Sequence, residues 1–367
     1  MSKAREVAKM GEVLTNSQIG GRRNIIINGA MNVAQRSTSE TGLGASSGYH
    51  TVDRVNFGHS GNSAGRYTAT QEAITDLGGF NNALKLACTT ADTSIASNEW
   101  ERLVFNLEAK DLQSLKFGTS DAEKFTVSFY VKGNASATYT LGAQSADSNR
   151  WMAKTFDVTT SWNRVSLTFE ADTVGAINDD NGHGIILYIT LQAGSDRTSG
   201  SIPSTWETLS AGDTADSNQT QFFDSTSRTF FITGLQMEVG SQATPFEHRS
   251  YGDELYLCQR YFEVSGTGSD NPGGWNFKNM FVGVSHNTGY VQGQQFSVEK
   301  RADATVVIYS RNGTSGKVSA FNTGSDEGNN HAINAGGKLG FHAVQRDGGT
   351  FTAGQGYEYG YTADAEL

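Results

Sequence analysis

Apolar and polar residues alternate strictly along several short segments of this chain, and this alternation limits its fold more than any other feature. The clearest segments are FTVSFYV, WNRVSLTF and ITGLQMEV. A period of two is typical of a strand that buries one face in a core and exposes the other to water. The residues predicted to face the core are Val127, Phe129, Val131, Val165, Leu167, Phe169, Leu235, Met237 and Val239. Gln236 and Glu238 are expected to face solvent.

The gaps between these segments are rich in turn-forming residues. The chain contains 43 glycines but only 3 prolines among its 367 residues. Many glycines beside few prolines suit short strands that are joined by tight turns. The sequence therefore predicts an all-β protein of antiparallel sheets, arranged as a sandwich or jelly roll.

Two stretches near the middle of the chain depart from strict alternation. The run IILYITL, residues 185–191, is almost continuously apolar, which predicts a strand buried on both faces. The polar stretch over residues 193–220 is long for a loop. Loops of this length are usually functional or cover the edge of a sheet.

The stretch from Phe231 to Phe262 changes from a strand into a helix. Pro245 blocks extension of the strand. Apolar residues then recur at helical spacing, at Tyr251, Leu255, Cys258 and Phe262. We expect a short linker helix between two β domains.

These patterns divide the chain into four parts. They are an N-terminal segment over 1–21, a jelly-roll domain over 22–249, the linker helix over 250–262 and a smaller β-sandwich over 263–367. About a hundred residues are enough for one small sandwich. In the last domain, Asn312-Gly313 predicts a hairpin turn, and Tyr357, Tyr359 and Tyr361 alternate onto one face.

The N-terminal segment carries a short amphipathic pattern. Val7, Met10 and Leu14 share one face of a predicted helix. A helix this short is marginal in water by itself. We expect these three residues to pack against other copies of the chain or against another protein, unless the segment is a frayed tail.

Charge and cysteine content exclude some classes of protein. The formal net charge is −10, whereas binding to a nucleic-acid backbone normally requires a basic surface. Cys88 and Cys258 lie far apart in the sequence and are expected to be buried thiols in a reducing compartment. The start MSKAREVAKMGEV lacks the apolar core of a signal peptide, so we expect synthesis in a cytoplasm without export by the usual route.

Signals for catalysis or metal binding are weak. The seven histidines show no metal-ligand spacing, and neither a nucleophile elbow nor a P-loop is present. The loop NDDNGHG, residues 178–184, offers the side-chain oxygens of Asp179, Asp180 and Asn181, but without the spacing of a known calcium loop. We expect a plain polar turn there, with a calcium ion as the alternative, and no cofactor.

Three tryptophans are candidates for sugar binding. Trp151, Trp206 and Trp275 lie in polar or glycine-rich surroundings, where an exposed ring can stack on a sugar. The alternative for each is a loop anchor packed on the sandwich. Trp100 and Trp162 lie at strand ends and are predicted to belong to the core.

Several motifs resemble one family of virus proteins. The segment GLQMEVGSQATPFEHRSYGDELYLCQRYF closely resembles a segment common in bacteriophage tail fibre proteins, especially those of marine phages. NIIINGAMNVAQRST, YHTVDRVNF, LEAKDLQSLKFGTSDAEKFTVSFYVKG and TTSWNRVSLTFEADT match the same family in the same order, so the resemblance covers roughly residues 22–262. SKAREVAKMG is similar to the segment by which such fibres attach to the virion. FSVEKRADATVVIYS resembles their closing β-sandwich, with Lys300 where relatives commonly carry an apolar residue.

The resemblance implies a jelly-roll domain similar to carbohydrate-binding modules. It also implies a structural fibre of the virion, homotrimeric and without enzymatic activity, that attaches to the host surface. A tail or capsid protein would then bind the N-terminal segment, and a host polysaccharide or outer-membrane receptor would bind the fibre. Two alternatives stay open: a tail-associated glycan depolymerase, and a capsid (head) fibre or decoration protein.

Overall fold

The computed structural model describes residues 23–265, 279–283, 285–286 and 288–367, which form two compact units. Unit 1 comprises residues up to 32, residues 39–50 and residues 55–249. Unit 2 comprises residues 33–38, 51–54 and 250–367. Antiparallel strands dominate both units, so the predicted all-β fold class is confirmed.

Unit 1 is built from short strands with a few helical turns. Its strands are β1 (Ser39–Leu43), β2 (Gly48–Tyr49), β3 (Asn56–Ser60), β4 (Arg66–Ala73), β5 (Asn82–Thr90), β6 (Trp100–Glu108), β7 (Phe125–Gly133), β8 (Ala137–Ser145), β9 (Arg150–Val158), β10 (Asn163–Phe169), β11 (His183–Ala193), β12 (Glu207–Thr208) and β13 (Thr229–Val239). Its helical segments are the 3-10 turns Ala109–Leu115, Ala211–Asp213 and Phe222–Asp224, and the short helix α1 (Ser195–Thr198).

The strands of unit 1 form two sheets. Sheet A has the order β1-β4-β5-β13-β7-β10, and sheet B has the order β12-β9-β8-β11-β6-β3-β2. The chain crosses repeatedly between the sheets, for example from β5 to β6 and then to β7, as in a jelly roll.

Aromatic contacts join the two sheets into a sandwich. Phe129 of β7 meets Phe156 of β9 edge to face, with ring centroids 5.1 Å apart. Tyr139 of β8 meets Phe230 of β13 at 5.7 Å. The residues predicted to face the core do so: Val127, Phe129, Val131, Val165, Phe169, Leu235 and Met237 are buried, and Leu167 and Val239 are half-buried.

Gln236 and Glu238 depart from the expectation, because both are buried rather than exposed to solvent. The backbone N–H of Thr244 donates to Glu238 Oε1 at 2.7 Å, and that of Glu247 donates to Gln236 Oε1 at 2.8 Å. The segment after β13 thus folds back over the outer face of this strand. The alternation of residues along one strand does not indicate whether a later segment packs over its outer face.

Unit 2 contains one helix and a second set of strands. They are α2 (Tyr251–Gln259), β14 (Phe262–Val264), β15 (Asn279–Val282), β16 (Thr288–Gln295), β17 (Thr305–Tyr309), β18 (Ser319–Ala320), β19 (His331–Gly336), β20 (Gly340–Arg346) and β21 (Gly356–Asp364). Strand β21 pairs with β14, β15, β17 and β18, while β16, β20 and β19 form a separate sheet. Tyr357, Tyr359 and Tyr361 lie on one face of β21, as predicted, and all three are buried in the core of the unit. The backbone N–H of Gly313 donates to the carbonyl of Ser310 at 2.9 Å, which closes the predicted turn.

Two short N-terminal segments belong to unit 2, although the sequence predicted them within the jelly-roll domain 22–249. Arg36 forms an ion pair with Asp364 at 3.0 Å, and Arg54 forms one with Glu366. The guanidinium of Arg54 also lies 3.5 Å from the ring centroid of Tyr261. The two ion pairs join residues more than 300 positions apart in sequence, which no local pattern predicts.

Helix α2 also differs from the predicted linker over 250–262. It ends at Gln259, and Phe262 already starts a strand. Of the predicted apolar stripe on the helix, Cys258 is fully buried, whereas Tyr251 is 59% exposed. The structure therefore makes this helix part of unit 2 rather than a separate segment. No helix in the described ranges is long and apolar enough to cross a membrane.

Both cysteines are buried and free, as predicted. Burial raises the pKa of the Cys258 thiol well above its usual value, and burial also raises the pKa of the Cys88 thiol. Both therefore remain in the unreactive thiol form at neutral pH.

Lys300 lies inside unit 2 with its side chain fully buried. Its ammonium donates to Glu263 Oε2 at 2.7 Å and to the carbonyl of Gln259 at 2.5 Å. The Tyr361 hydroxyl donates to Glu263 Oε1 at 2.8 Å. The charged residue at this position is thus matched by a buried carboxylate.

Asp53 is expected to make unit 2 lose stability as the pH rises from about 4 to 6. Burial raises the pKa of this carboxyl to about 6, against the lowering effects of Arg36 and of hydrogen bonds from Gln35. The folded-state pKa lies above the unfolded value of 3.8. The free energy that protonated Asp53 adds to the stability of unit 2 is therefore fully present below pH 4 and is lost as the pH rises through 6. The loss amounts to roughly 2–3 kcal/mol.

The measurement compares calorimetric unfolding of the chain with that of Asp53→Asn between pH 4 and pH 7. The difference in unfolding free energy between the two proteins should change across this window and stay constant above it. Parallel pH profiles would contradict the assignment.

Candidate functional site

The outer face of sheet B is partly open, although β11 was predicted to be buried on both sides. Leu187 and Ile189 point into the sandwich and are fully buried. Ile186 and Tyr188, which alternate with them, are only half-buried. One face of the central strand of the sheet is therefore accessible.

Aromatic and amide side chains share this face. We define the tyrosine–amide face by Tyr49 on β2, Asn56 on β3, Asn106 on β6, Gln144 on β8 and Tyr188 on β11, all half-buried. Strand register places Tyr49 opposite Asn56, and Val104 lies between Asn56 and Tyr188. At roughly 4.8 Å per strand, the row from Tyr49 to Tyr188 spans about 14 Å.

Hydrogen bonds hold these side chains in fixed orientations. The Tyr188 hydroxyl donates to Gln144 Oε1 at 3.0 Å. Asn106 Nδ2 donates to the Tyr49 hydroxyl at 2.9 Å. Burial raises the pKa of the Tyr188 hydroxyl, against the lowering effect of Arg102, so this hydroxyl remains a donor at neutral pH. The face is thus preorganised before any ligand arrives.

A covering loop, residues 194–220, closes one side of sheet B. Arg102 donates to Thr214 Oγ1 at 2.9 Å, and the backbone N–H of Asp216 donates to Thr140 Oγ1 at 3.0 Å. The long polar stretch of the sequence therefore covers part of the outer face of the sheet. The tyrosine–amide face lies on the part that remains open.

The chemistry of this face suits binding rather than bond breaking. Tyrosine rings offer flat apolar surfaces, and the amides of Asn56, Asn106 and Gln144 offer both donors and acceptors. None of the five residues is a carboxylate, a thiol or a histidine. In the part of the chain that the structure describes, no cluster of three or more His, Cys, Asp or Glu residues is placed to hold a metal ion. In the loop considered for calcium, Asp180 Oδ1 accepts a hydrogen bond from the Gly182 N–H at 2.8 Å.

Trp151 and Trp206, candidates for sugar binding in the sequence, are not sugar platforms but packed anchors, the alternative given for each. Trp151 is 1% exposed and Trp206 is 7% exposed. The Trp151 indole donates to the carbonyl of Asp213 in the covering loop at 3.1 Å. Trp206 packs edge to face on Phe117 at 5.5 Å. Since both rings are enclosed by protein, neither face can stack on a ligand.

Gly142 makes room for the Trp151 ring, and its replacement is expected to destabilise unit 1. A Cβ atom at position 142 would lie 1.9 Å from Cη2 of Trp151. Gly142→Ala should therefore cost about 1–3 kcal/mol of unfolding free energy, the usual cost of overpacking. Thermal unfolding measures the loss. Gly78→Ala is the matched control, because no atom lies within 4 Å of a Cβ there, and a similar loss in both variants would contradict the reason given.

The other residues singled out in the sequence are Trp275, the three docking residues and the two tryptophans predicted as core. Trp275 and the docking residues Val7, Met10 and Leu14 lie outside the described residues. Trp100 and Trp162, predicted as core, are only half-buried. The Trp162 indole donates to Asp76 Oδ1 at 2.9 Å on the side of sheet A.

Comparison with known proteins gives distant likenesses only. No protein-family model and no curated protein matches the chain. A family 11 carbohydrate-binding module from a Clostridium thermocellum cellulase aligns over 57% of this chain and 98% of its own, at 10% identity and a TM-score of 0.28. TmCBM61, solved with β-1,4-galactotriose, aligns over 59% of this chain and 99% of its own, at 8% identity and a TM-score of 0.30.

A virus protein also aligns at a similar level. The enzymatically active domain of bacteriophage CBA120 tailspike protein 4 covers 59% of this chain and 21% of its own, at 10% identity and a TM-score of 0.27. TM-scores this low support no statement about a shared site. The tyrosine–amide face is therefore defined by its own residues.

Proposed function

We propose that the protein is a structural fibre of a bacteriophage virion and that it attaches to the host surface by binding glycans on the tyrosine–amide face. The observation that carries the glycan-binding part is the row of half-buried tyrosine and amide side chains on the open face of sheet B. Rings that stack on sugars, with amides beside them for the hydroxyl groups, are the usual means of carbohydrate recognition. The motifs over residues 22–262 support the virion part of the proposal.

The test of this function uses the purified full chain. Surface polysaccharides extracted from candidate host bacteria are immobilised, and binding is measured by surface plasmon resonance. Binding to at least one extract, abolished by prior digestion of its polysaccharide, supports the proposal. Binding that survives digestion would indicate a protein receptor instead.

We propose binding without catalysis. Glycoside hydrolysis usually needs two carboxyl groups that flank the scissile bond, and the five residues of the tyrosine–amide face include none. A reducing-end assay on the bound polysaccharide tests this point. Release of sugar that is lost on substitution of one carboxylate would favour the depolymerase alternative.

The proposed assembly is a homotrimer that docks on a tail or capsid protein through residues 1–21. In unit 2, Val282 pairs with Gly356 of β21, and the backbone N–H of Phe321 donates to the carbonyl of Gly356. The apolar side chains of Val282 and Phe321 are exposed and supply a surface for contact between subunits. Sedimentation of the full chain tests the trimer, and a monomer at micromolar concentration would contradict it. Imaging of the intact particle distinguishes a tail fibre from a head fibre.

A further inference from the structure

Two arginines meet at one corner of the outer face of sheet B. Arg102 comes from β6, and Arg197 comes from α1 in the covering loop. Their guanidinium carbons lie 4.8 Å and 6.0 Å from the ring centroid of Trp100. Arg102 also lies 5.3 Å from the ring centroid of Tyr188, so this arginine corner adjoins the tyrosine–amide face.

Neither arginine of the corner forms an ion pair in the part of the chain that the structure describes. Arg102 is 6% exposed, and its guanidinium donates to the neutral hydroxyl of Thr214. The Nε groups of Arg102 and Arg197 are both buried without an acceptor. Arg150 and Arg228 of unit 1 differ from this pair, since Arg150 contacts Asp172 at 2.6 Å and Arg228 contacts Asp224.

The electrostatics of the corner favour an anion. Burial, together with the neighbouring Arg197, lowers the pKa of Arg102 to about 10, although the group stays charged at neutral pH. A buried guanidinium with a second, half-buried cation beside it and no counter-charge is unfavourable. An oxyanion placed at this corner would relieve that cost and accept charge-assisted hydrogen bonds from guanidinium groups, which suit carboxylate and sulfate geometry.

We propose that Arg197, with the charge of the buried Arg102 beside it, binds an acidic group of the glycan, either the carboxylate of a uronic acid or a sulfate ester, beside the sugar that stacks on Tyr188. This inference rests on the proposed glycan binding and adds the substrate class. The formal net charge of the chain is −10. General attraction between the protein and polyanions therefore does not account for a preference for acidic sugars, and the preference has to come from this corner.

The test compares three hexasaccharides as ligands of the full chain by calorimetric titration: a neutral galactan, an oligogalacturonate and a sulfated galactan. At least one acidic ligand should bind tenfold or more tightly than the neutral one. Arg197→Gln should reduce this preference to less than threefold while leaving affinity for the neutral ligand unchanged. Arg164→Gln, an exposed arginine on the outer face of sheet A, is the matched control and should keep the preference.

The outcomes separate the two levels of the proposal. Equal affinity for neutral and acidic ligands would overturn the arginine-corner inference and leave glycan binding in place. If the chain binds neither the three ligands nor any of the extracted polysaccharides, both the arginine-corner inference and the proposed glycan binding are overturned. Arg102→Met serves as a second variant, with its melting temperature measured in parallel. A preference kept by both corner variants would rule the corner out, and the two acidic ligands distinguish carboxylate from sulfate.

Discussion

Replacing Tyr188 with alanine is expected to weaken glycan binding by roughly 30-fold. The ring lies on β11, the central strand of sheet B, at one end of the row that starts at Tyr49, and loss of an aromatic contact of this kind typically costs about 2 kcal/mol of binding free energy. Calorimetric titration of the full chain with its best glycan ligand measures the change. Tyr188→Phe keeps the ring and loses only the hydrogen bond to Gln144, so its affinity should fall no more than about fivefold.

The matched control is Trp162→Ala. Trp162 is also a half-buried aromatic residue of unit 1, but it lies on the side of sheet A, where it contacts Asp76. Its removal should leave glycan affinity unchanged. If Trp162→Ala abolishes binding and Tyr188→Ala does not, the site lies on sheet A and the assignment to sheet B is wrong.

Glu263→Gln is expected to produce the largest loss of stability, about 3–5 kcal/mol in unit 2. The substitution leaves the fully buried ammonium of Lys300 without its counter-charge. The ammonium would then keep the carbonyl of Gln259 and the ring of Phe296, 4.9 Å from its centroid, with a neutral amide in place of the carboxylate. Hydrogen exchange at the amides of β21 reports the opening of this unit separately from unit 1.

The double variant Glu263→Gln/Lys300→Met is the control for this prediction. It removes both charges and places an apolar residue at position 300. It should recover most of the lost stability, because a buried ion pair is often replaceable by apolar groups. A single variant that loses less than about 1 kcal/mol would show that Lys300 finds another partner or releases its proton.

The parts of the fold that the sequence predicted correctly depend on short-range periodicity. Val127, Phe129 and Val131 are fully buried because alternate residues of a strand share one face wherever that strand lies. Tyr357 and Tyr361 follow the same rule in unit 2. The predicted helix was also found, although it ends three residues early.

The parts that were missed depend on what covers a strand, and this is decided by distant segments. Trp151 is buried because Gly142 leaves room for its ring and the covering loop closes over it. Tyr188, on the same outer face of sheet B, is only half-buried. An apolar run such as IILYITL indicates that a strand is largely buried, but it does not indicate which alternate residue stays accessible. Tyr188, the main candidate for ligand contact, therefore lies within a run that predicted a fully buried strand.

Residues 33–38 and 51–54 precede most of unit 1 in the sequence but belong to unit 2. This order affects when unit 2 can fold during synthesis and how it could be transferred to another protein. During translation these segments emerge more than 300 residues before Asp364 and Glu366, their ionic partners. Unit 2 therefore cannot close until residue 366 has left the ribosome, whereas the last strand of unit 1 ends at Val239. A C-terminal fragment produced by itself would lack Arg36 and Arg54, and a graft of unit 2 onto another protein would need to carry both segments with it.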